Sequence, residues 1–198
     1  MYKPNFLLAF AVSGLLLLAL PACDYSTPEG GTLDVRLNST SSSLDLSKAV
    51  VTVEHVSIAS KYDGSEPKRF DGWPNMIEEN QKVDLTSVTG SGDMRLTRDQ
   101  VPHGVFDGLN IKFSETAQIT YQDENGESVT TTASLPEEIN GRVALKFDSL
   151  VLSEGESATV SLKFDLGGSF SKKEKDAFKF QPSLDVEELV VNGEKQSL

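Results

Sequence analysis

Thr159-Val160-Ser161-Leu162-Lys163-Phe164-Asp165-Leu166 alternates without a break: Val160, Leu162, Phe164 and Leu166 hold one parity, and Thr159, Ser161, Lys163 and Asp165 hold the other. Successive side chains of a β-strand point to opposite faces, so this stretch is a strand with one buried face and one wet face. Working outward, Leu33, Val35 and Leu37 alternate with Thr32, Asp34 and Arg36. Val105, Leu109, Ile111 and Phe113 share a parity, as do Val143, Leu145 and Phe147. Phe178, Phe180, Pro182, Leu184 and Val186 repeat the pattern as one further run. Antiparallel sheets with one solvated side produce this code.

Turn chemistry agrees. Asp123-Glu124-Asn125-Gly126 separates Ile119-Thr120-Tyr121 from Val129-Thr130-Thr131, and Asn-Gly between alternating runs is a strong hairpin signal. Ser153-Glu154-Gly155-Glu156 is expected to join two strands in the same way, and Asn140-Gly141 and Asn192-Gly193 read as turns. Pro182 lacks a ladder donor, which places it at a sheet edge or a strand start. Val51 and Val53 hold one parity while Val56 and Ile58 hold the other. Either a bulge at Glu54-His55 resets the phase or the strand is covered on both faces. Ser171 to Phe178 reads as a short helix or a charged loop. About nine or ten short strands imply an all-β chain, a single antiparallel two-layer β-sandwich over 32–191, with 192–198 as a frayed tail. No internal repeat is visible.

The chain has 198 residues, 30 acidic against 18 basic, and a formal charge of −12. Length suggests one domain. Acidity excludes a nucleic-acid partner, because phosphate contacts need a basic face. A single cysteine excludes an intramolecular disulfide and a thiolate zinc cage.

That cysteine sits at a telling place. Lys3 precedes the uncharged run Phe6 to Leu20, FLLAFAVSGLLLLAL. The run falls short of the ~20 residues that span a bilayer and has the form of a secretory signal over 1–22. Leu20-Pro21-Ala22-Cys23 follows and resembles the bacterial lipoprotein box. The resemblance implies cleavage between Ala22 and Cys23, diacylglycerol on the Cys23 thiol and acylation of the new amino group. Two or more acyl chains hold a protein durably at a bilayer. Residues 23–31 then form a polar tether reaching up to roughly 25 Å. The expected location is the cell envelope, with the outer membrane favoured over the inner, and the membrane is a partner through the Cys23 lipid.

Four segments together resemble a bacterial domain-of-unknown-function family, number 4382, whose members are mostly lipoproteins. They are Gly31 to Leu37, Val50 to Ile58, Val101-Pro102-His103-Gly104-Val105-Phe106 with Leu109-Asn110-Ile111, and Phe180-Gln181-Pro182-Ser183-Leu184. Asn38-Ser39-Thr40 departs from the Asp-Ala-Pro turn usual after the first strand. The resemblance implies an immunoglobulin- or transthyretin-like sandwich and no activity.

Candidate chemistry is sparse. His55 and His103 are the two histidines, and each reads as a surface or turn residue. No Gly-x-Ser-x-Gly motif is present. Glu78-Glu79, Glu137-Glu138 and Glu187-Glu188 are adjacent acids, mostly at polar positions, and a charge run of this kind reads as a solvated face. Asp63, Asp71, Asp123 and Asn125 offer oxygens for calcium, but turn formation explains them better. The long connection Lys61 to Glu79 holds Tyr62, Phe70 and Trp73, which suit a sugar ring or a protein partner unless Trp73 folds back onto the core. The expectation is therefore a non-catalytic binding or structural module with no cofactor or metal and an unknown protein or glycan partner. The alternative is a carbohydrate-binding or adhesion module using the 61–79 loop, and an enzyme is the least supported class.

Overall fold

The computed structural model describes residues 30–42, 44–60, 75–90, 92–173 and 177–198. Ala22, Cys23, Tyr62, Phe70 and Trp73 lie outside these residues.

The alternating runs become strands because each delivers an apolar face to one shared core. Thirteen strands are described: β1 Gly30–Ser39, β2 Leu46–Ser60, β3 Gln81–Asp84, β4 Met94–Pro102, β5 Gly104–Phe113, β6 Thr116–Gln122, β7 Ser128–Ser134, β8 Arg142–Leu152, β9 Ser157–Phe164, β10 Phe170–Lys172, β11 Phe178–Phe180, β12 Leu184–Val191 and β13 Glu194–Lys195. A 3-10 turn, Leu85–Val88, and a one-turn helix, α1 Leu166–Ser169, interrupt them. The first sheet has the order β13-β12-β9-β1-β4; the second has β10-β11-β7-β6-β2-β5-β8, with β3 on β2. The all-β expectation holds. Pairing is mixed rather than wholly antiparallel, since β1–β9 and β11–β7 are parallel.

One segment read as a hairpin turn, and one read as a single strand, instead carry the chain between sheets. Ser153–Glu156 leaves β8 in the second sheet and enters β9 in the first. Its backbone is tied to β1, where the Thr32 amide donates to Glu156 at 2.8 Å and the Gly155 amide to Gly30 at 3.2 Å. The run Phe178 to Val186 is divided likewise into β11 and β12, and Gln181-Pro182-Ser183 makes the crossing. Pro182 stands outside both ladders, where its missing N–H costs nothing. Ser171 to Phe178 is neither helix nor simple loop at its ends, because β10 and β11 pair antiparallel. Asn125-Gly126 does turn a hairpin, β6 to β7, with Gly126 at φ 77°. Asn192-Gly193 turns β12 back into β13, so the tail read as frayed begins with a short hairpin.

Of the two readings left open for β2, the bulge is present. Val53 pairs Phe113 and His55 pairs Lys112, leaving Glu54 as the extra residue. Val51, Val53, Val56 and Ile58 are all buried in consequence. A second phase change corrects the reading of β5. Phe106, not Val105, is buried, because the register slips between Phe106 and Gly108.

One edge of β2 serves two successive partners. Val53 pairs both Phe113 of β5 and Gln81 of β3, and Val50 pairs both Gln118 of β6 and Asp84 of β3. Strands β5 and β6 therefore share the edge opposite β3, as one long partner broken at Ser114-Glu115. The companion ribbon, β7 to β8, bends beside it at Leu135–Gly141. There the Phe113 amide donates to Gly141 at 2.9 Å. Gly141 has φ 70°, and a Cβ on it would lie 2.3 Å from the Phe113 carbonyl oxygen, so this corner needs glycine.

Phe113 also leads the core. Its ring meets Phe164 of the first sheet at 5.9 Å and 75°, and Phe180 at 6.2 Å and 90°, both edge-on. Phe170 stacks on Phe180 at 5.2 Å. Such pairs add about 0.5–1.5 kcal/mol each beyond burial. Phe113→Ala should cost about 3–5 kcal/mol in urea unfolding, whereas Val105→Ala at the exposed position should stay within about 0.5 kcal/mol. Equal losses at the two positions would refute this packing.

Candidate functional site

The outward face of the first sheet carries residues of alternating strands in register. Glu188 of β12 pairs Ser161 of β9, Ser161 pairs Arg36 of β1, and Arg36 pairs Arg95 of β4. Serine is the shortest side chain in this row. The long neighbours stand up around it and leave a cup of about 390 Å³. The loop holding Gly90, Gly92 and Asp93 forms one wall, and Glu187, Glu188 and Lys195 form the opposite one.

A bulge makes the second wall. Val186 pairs Leu162 and Glu188 pairs Ser161, so Glu187 is an extra residue in β12. In a regular strand Glu187 and Glu188 would face opposite sides. The bulge re-aims one of them, and both acids line the cup. Both acids keep the solvent exposure expected of them, and the bulge adds that they face one cup. The signal was present in the sequence: Leu184 and Val186 hold one parity, and Leu189 and Val191 hold the other. It is the same phase change that marks β2.

The cup's charges are balanced in pairs. Arg36 donates from Nη1 to Asp93 at 2.8 Å and from Nη2 to Asp34 at 3.4 Å. Asp34 is buried and also takes Arg95, at 3.0 Å. Lys163 donates to Glu187 at 2.9 Å, Asn38 Nδ2 donates to the same carboxylate at 2.5 Å, and Lys195 meets Glu188 at 3.0 Å. Surface pairs of this kind are worth about 0–1 kcal/mol each, so they orient the side chains more than they stabilise the fold. The Lys163 hydrogen bond, followed by that of Asn38, holds the Glu187 carboxyl below its ordinary range. Two polar atoms of the cup residues are buried without a hydrogen-bond partner among the described residues: Arg36 Nε, a donor, and Asn38 Oδ1, an acceptor. A cavity of equal volume, about 390 Å³, lies over Ala59, Gly108 and Ala144 on the second sheet. Its lining is mostly apolar, so it lacks the cup's density of hydrogen-bonding groups.

Apart from Glu187 and Glu188, the described residues singled out from sequence do not line the cup. The Tyr62, Phe70 and Trp73 loop lies outside the described residues. Its C-terminal end is clipped to β2, where Asn75 Oδ1 accepts from the Val56 amide at 3.0 Å and Nδ2 donates to the Glu54 carbonyl at 3.2 Å. His55 follows the β2 bulge. Partial burial, then the charges of Arg142 and Lys112, depress its pKa. His103 is exposed between β4 and β5. Asp123 accepts from the Asn125 and Glu127 amides at 2.9 and 2.8 Å, a turn role. Among the described residues no group of three or more His, Cys, Asp or Glu side chains is placed to hold a metal ion.

Comparison with known proteins gives one family. The profile of "Domain of unknown function (DUF4382)" matches residues 30–182. No curated protein matches. A crystal structure from Bacteroides eggerthii DSM 20697, of a protein provisionally named as a cell adhesion protein, is similar at 8% identity and a TM-score of 0.32. The likeness covers 79% of this chain and 57% of that one, so the chain spans little more than half that protein's length. At that TM-score the likeness carries no argument.

The Glu187 carboxyl should titrate below the ordinary glutamate value of about 4.3 when followed by carbon NMR. Its folded pKa is depressed, so its stabilising contribution is present above the ordinary value and lost as pH falls through the folded midpoint. Lys163→Ala should raise that midpoint more than Asn38→Ala does. A wild-type midpoint at or above the ordinary value would contradict the geometry.

Proposed function

This chain belongs to the DUF4382 family, and we propose that it is a lipid-anchored cell-envelope module that binds a ligand in the cup of its first sheet and performs no catalysis. The observation that carries the binding role is the convergence of Glu187 and Glu188 around the Ser161 floor, produced by a bulge that regular pairing would not supply. Bulges recur where a side chain must be re-aimed toward a site.

Position supports the reading. The tether enters the body at Gly30, where β1 pairs Pro102 of β4. At ~3.3 Å per residue, Arg36 lies about 20 Å further along β1 and Asn38 beyond it. A body moored through Cys23 would thus present the cup away from the bilayer. No helix among the described residues is long and apolar enough to cross a membrane.

The acids of the cup argue against acid–base chemistry. A general acid needs a pKa raised toward neutrality. Glu187 is displaced the opposite way by Lys163 and Asn38, and Glu188 is engaged by Lys195. Glu187 is thus set to accept hydrogen bonds rather than to exchange protons.

Anchoring is tested by fractionation in a bacterial host. Wild-type protein should partition with membranes, and its N-terminal peptide should carry acyl mass on Cys23. Cys23→Ala should move the protein to the soluble fraction. Equal membrane partitioning of the two would overturn the anchoring half of the proposal.

A further inference from the structure

We infer that the ligand of this cup is a neutral, hydroxyl-rich molecule, of the class of an uncharged sugar unit in a glycan, held between Arg36 and Asn38 over Ser161. The inference rests on the binding role proposed above and adds the chemical class of the ligand.

Charge selects against ions. The Arg36 guanidinium is engaged by Asp93 and Asp34, so an anion would have to displace a carboxylate from it. Glu187 and Glu188 are engaged by Lys163 and Lys195, so a cation would have to displace a lysine. Each displacement leaves a charge without its partner. A hydroxyl brings no charge that would have to replace a carboxylate or a lysine.

The unpartnered hydrogen-bonding atoms are of both kinds. Arg36 Nε–H can only donate, and Asn38 Oδ1 can only accept. A hydroxyl group does both, with one O–H and two lone pairs, so neighbouring hydroxyls on one molecule can serve the two atoms together. Arg36 and Asn38 are two positions apart on β1 and face the same side, about 6.6 Å apart along the strand. That is a spacing suited to one edge of a sugar ring. Both atoms are covered in the free protein. A ligand therefore reaches them only with a shift of the two side chains, of which Arg36 is 36% exposed. Ser161 supplies a further hydroxyl at the floor, and a volume of about 390 Å³ lies in the small-ligand range of ~300–1,000 Å³.

The test uses the full-length lipoprotein in detergent micelles and three probe sets: neutral oligosaccharides, acidic oligosaccharides and charged dipeptides. Ser161→Arg fills the floor from an outward position, and its melting temperature checks that it folds; Asn38→Ala removes the unpartnered acceptor. The expected result is binding of at least one neutral oligosaccharide, weakened at least tenfold by Ser161→Arg and also weakened by Asn38→Ala. If only charged probes bind and Ser161→Arg abolishes that binding, the ligand class is wrong and the binding role stands. If no probe binds, or binding is indifferent to Ser161→Arg, both fall.

Discussion

The ring of Phe113 is the contact on which the rest is hung. It reaches from the second sheet to Phe164 of the first and Phe180 of β11, and it sits where the β5–β6 partner of β2 breaks. Burying it fixes which way β9 faces. With Leu162 and Phe164 turned into the core, strict alternation leaves Ser161 and Lys163 on the wet side. The floor of the cup is thus set by the packing of the core beneath it.

Extra residues do the remaining work. In β2, Glu54 resets the phase so that two apolar pairs of opposite parity are buried together, and the displaced Glu54 pairs Lys112 at 2.6 Å. In β12, Glu187 resets the phase between Val186 and Leu189 and brings two adjacent acids to one face. The same backbone device serves stability in one strand and a surface site in the other. Neither irregularity lies on an outermost strand. Very short strands, β13, β10 and β3, stand at one end of each sheet order and on the flank of β2, while the longer β4 and β8 form the opposite ends.

Local features were legible in the sequence. Alternation located the main strands, Asn125-Gly126 located the β6–β7 hairpin, and the parity change at Glu54 marked the place where pairing then showed a bulge. Sheet membership was not legible, because it depends on partners far along the chain. Ser153–Glu156 has the composition of a hairpin turn yet crosses between sheets, and Phe178 to Val186 reads as one strand because its parity survives the crossing at Pro182. Val105 and Phe106 illustrate the same limit: only the pairing with β8 shows which is buried. The Glu187-Glu188 site was within reach of the parity argument applied to β2, but adjacent carboxylates on a strand read first as solvated.

The account stands on Glu187 and Glu188 sharing one face, and the most direct measurement is proton–proton Overhauser contact in the folded protein. It predicts contacts from the Glu187 side chain to Lys163 and Asn38, together with contacts from Glu188 to Lys195 and Ser161. Contacts from either glutamate to the buried side chains of Leu162 or Phe164 would mean regular alternation through β12, and the cup would not exist.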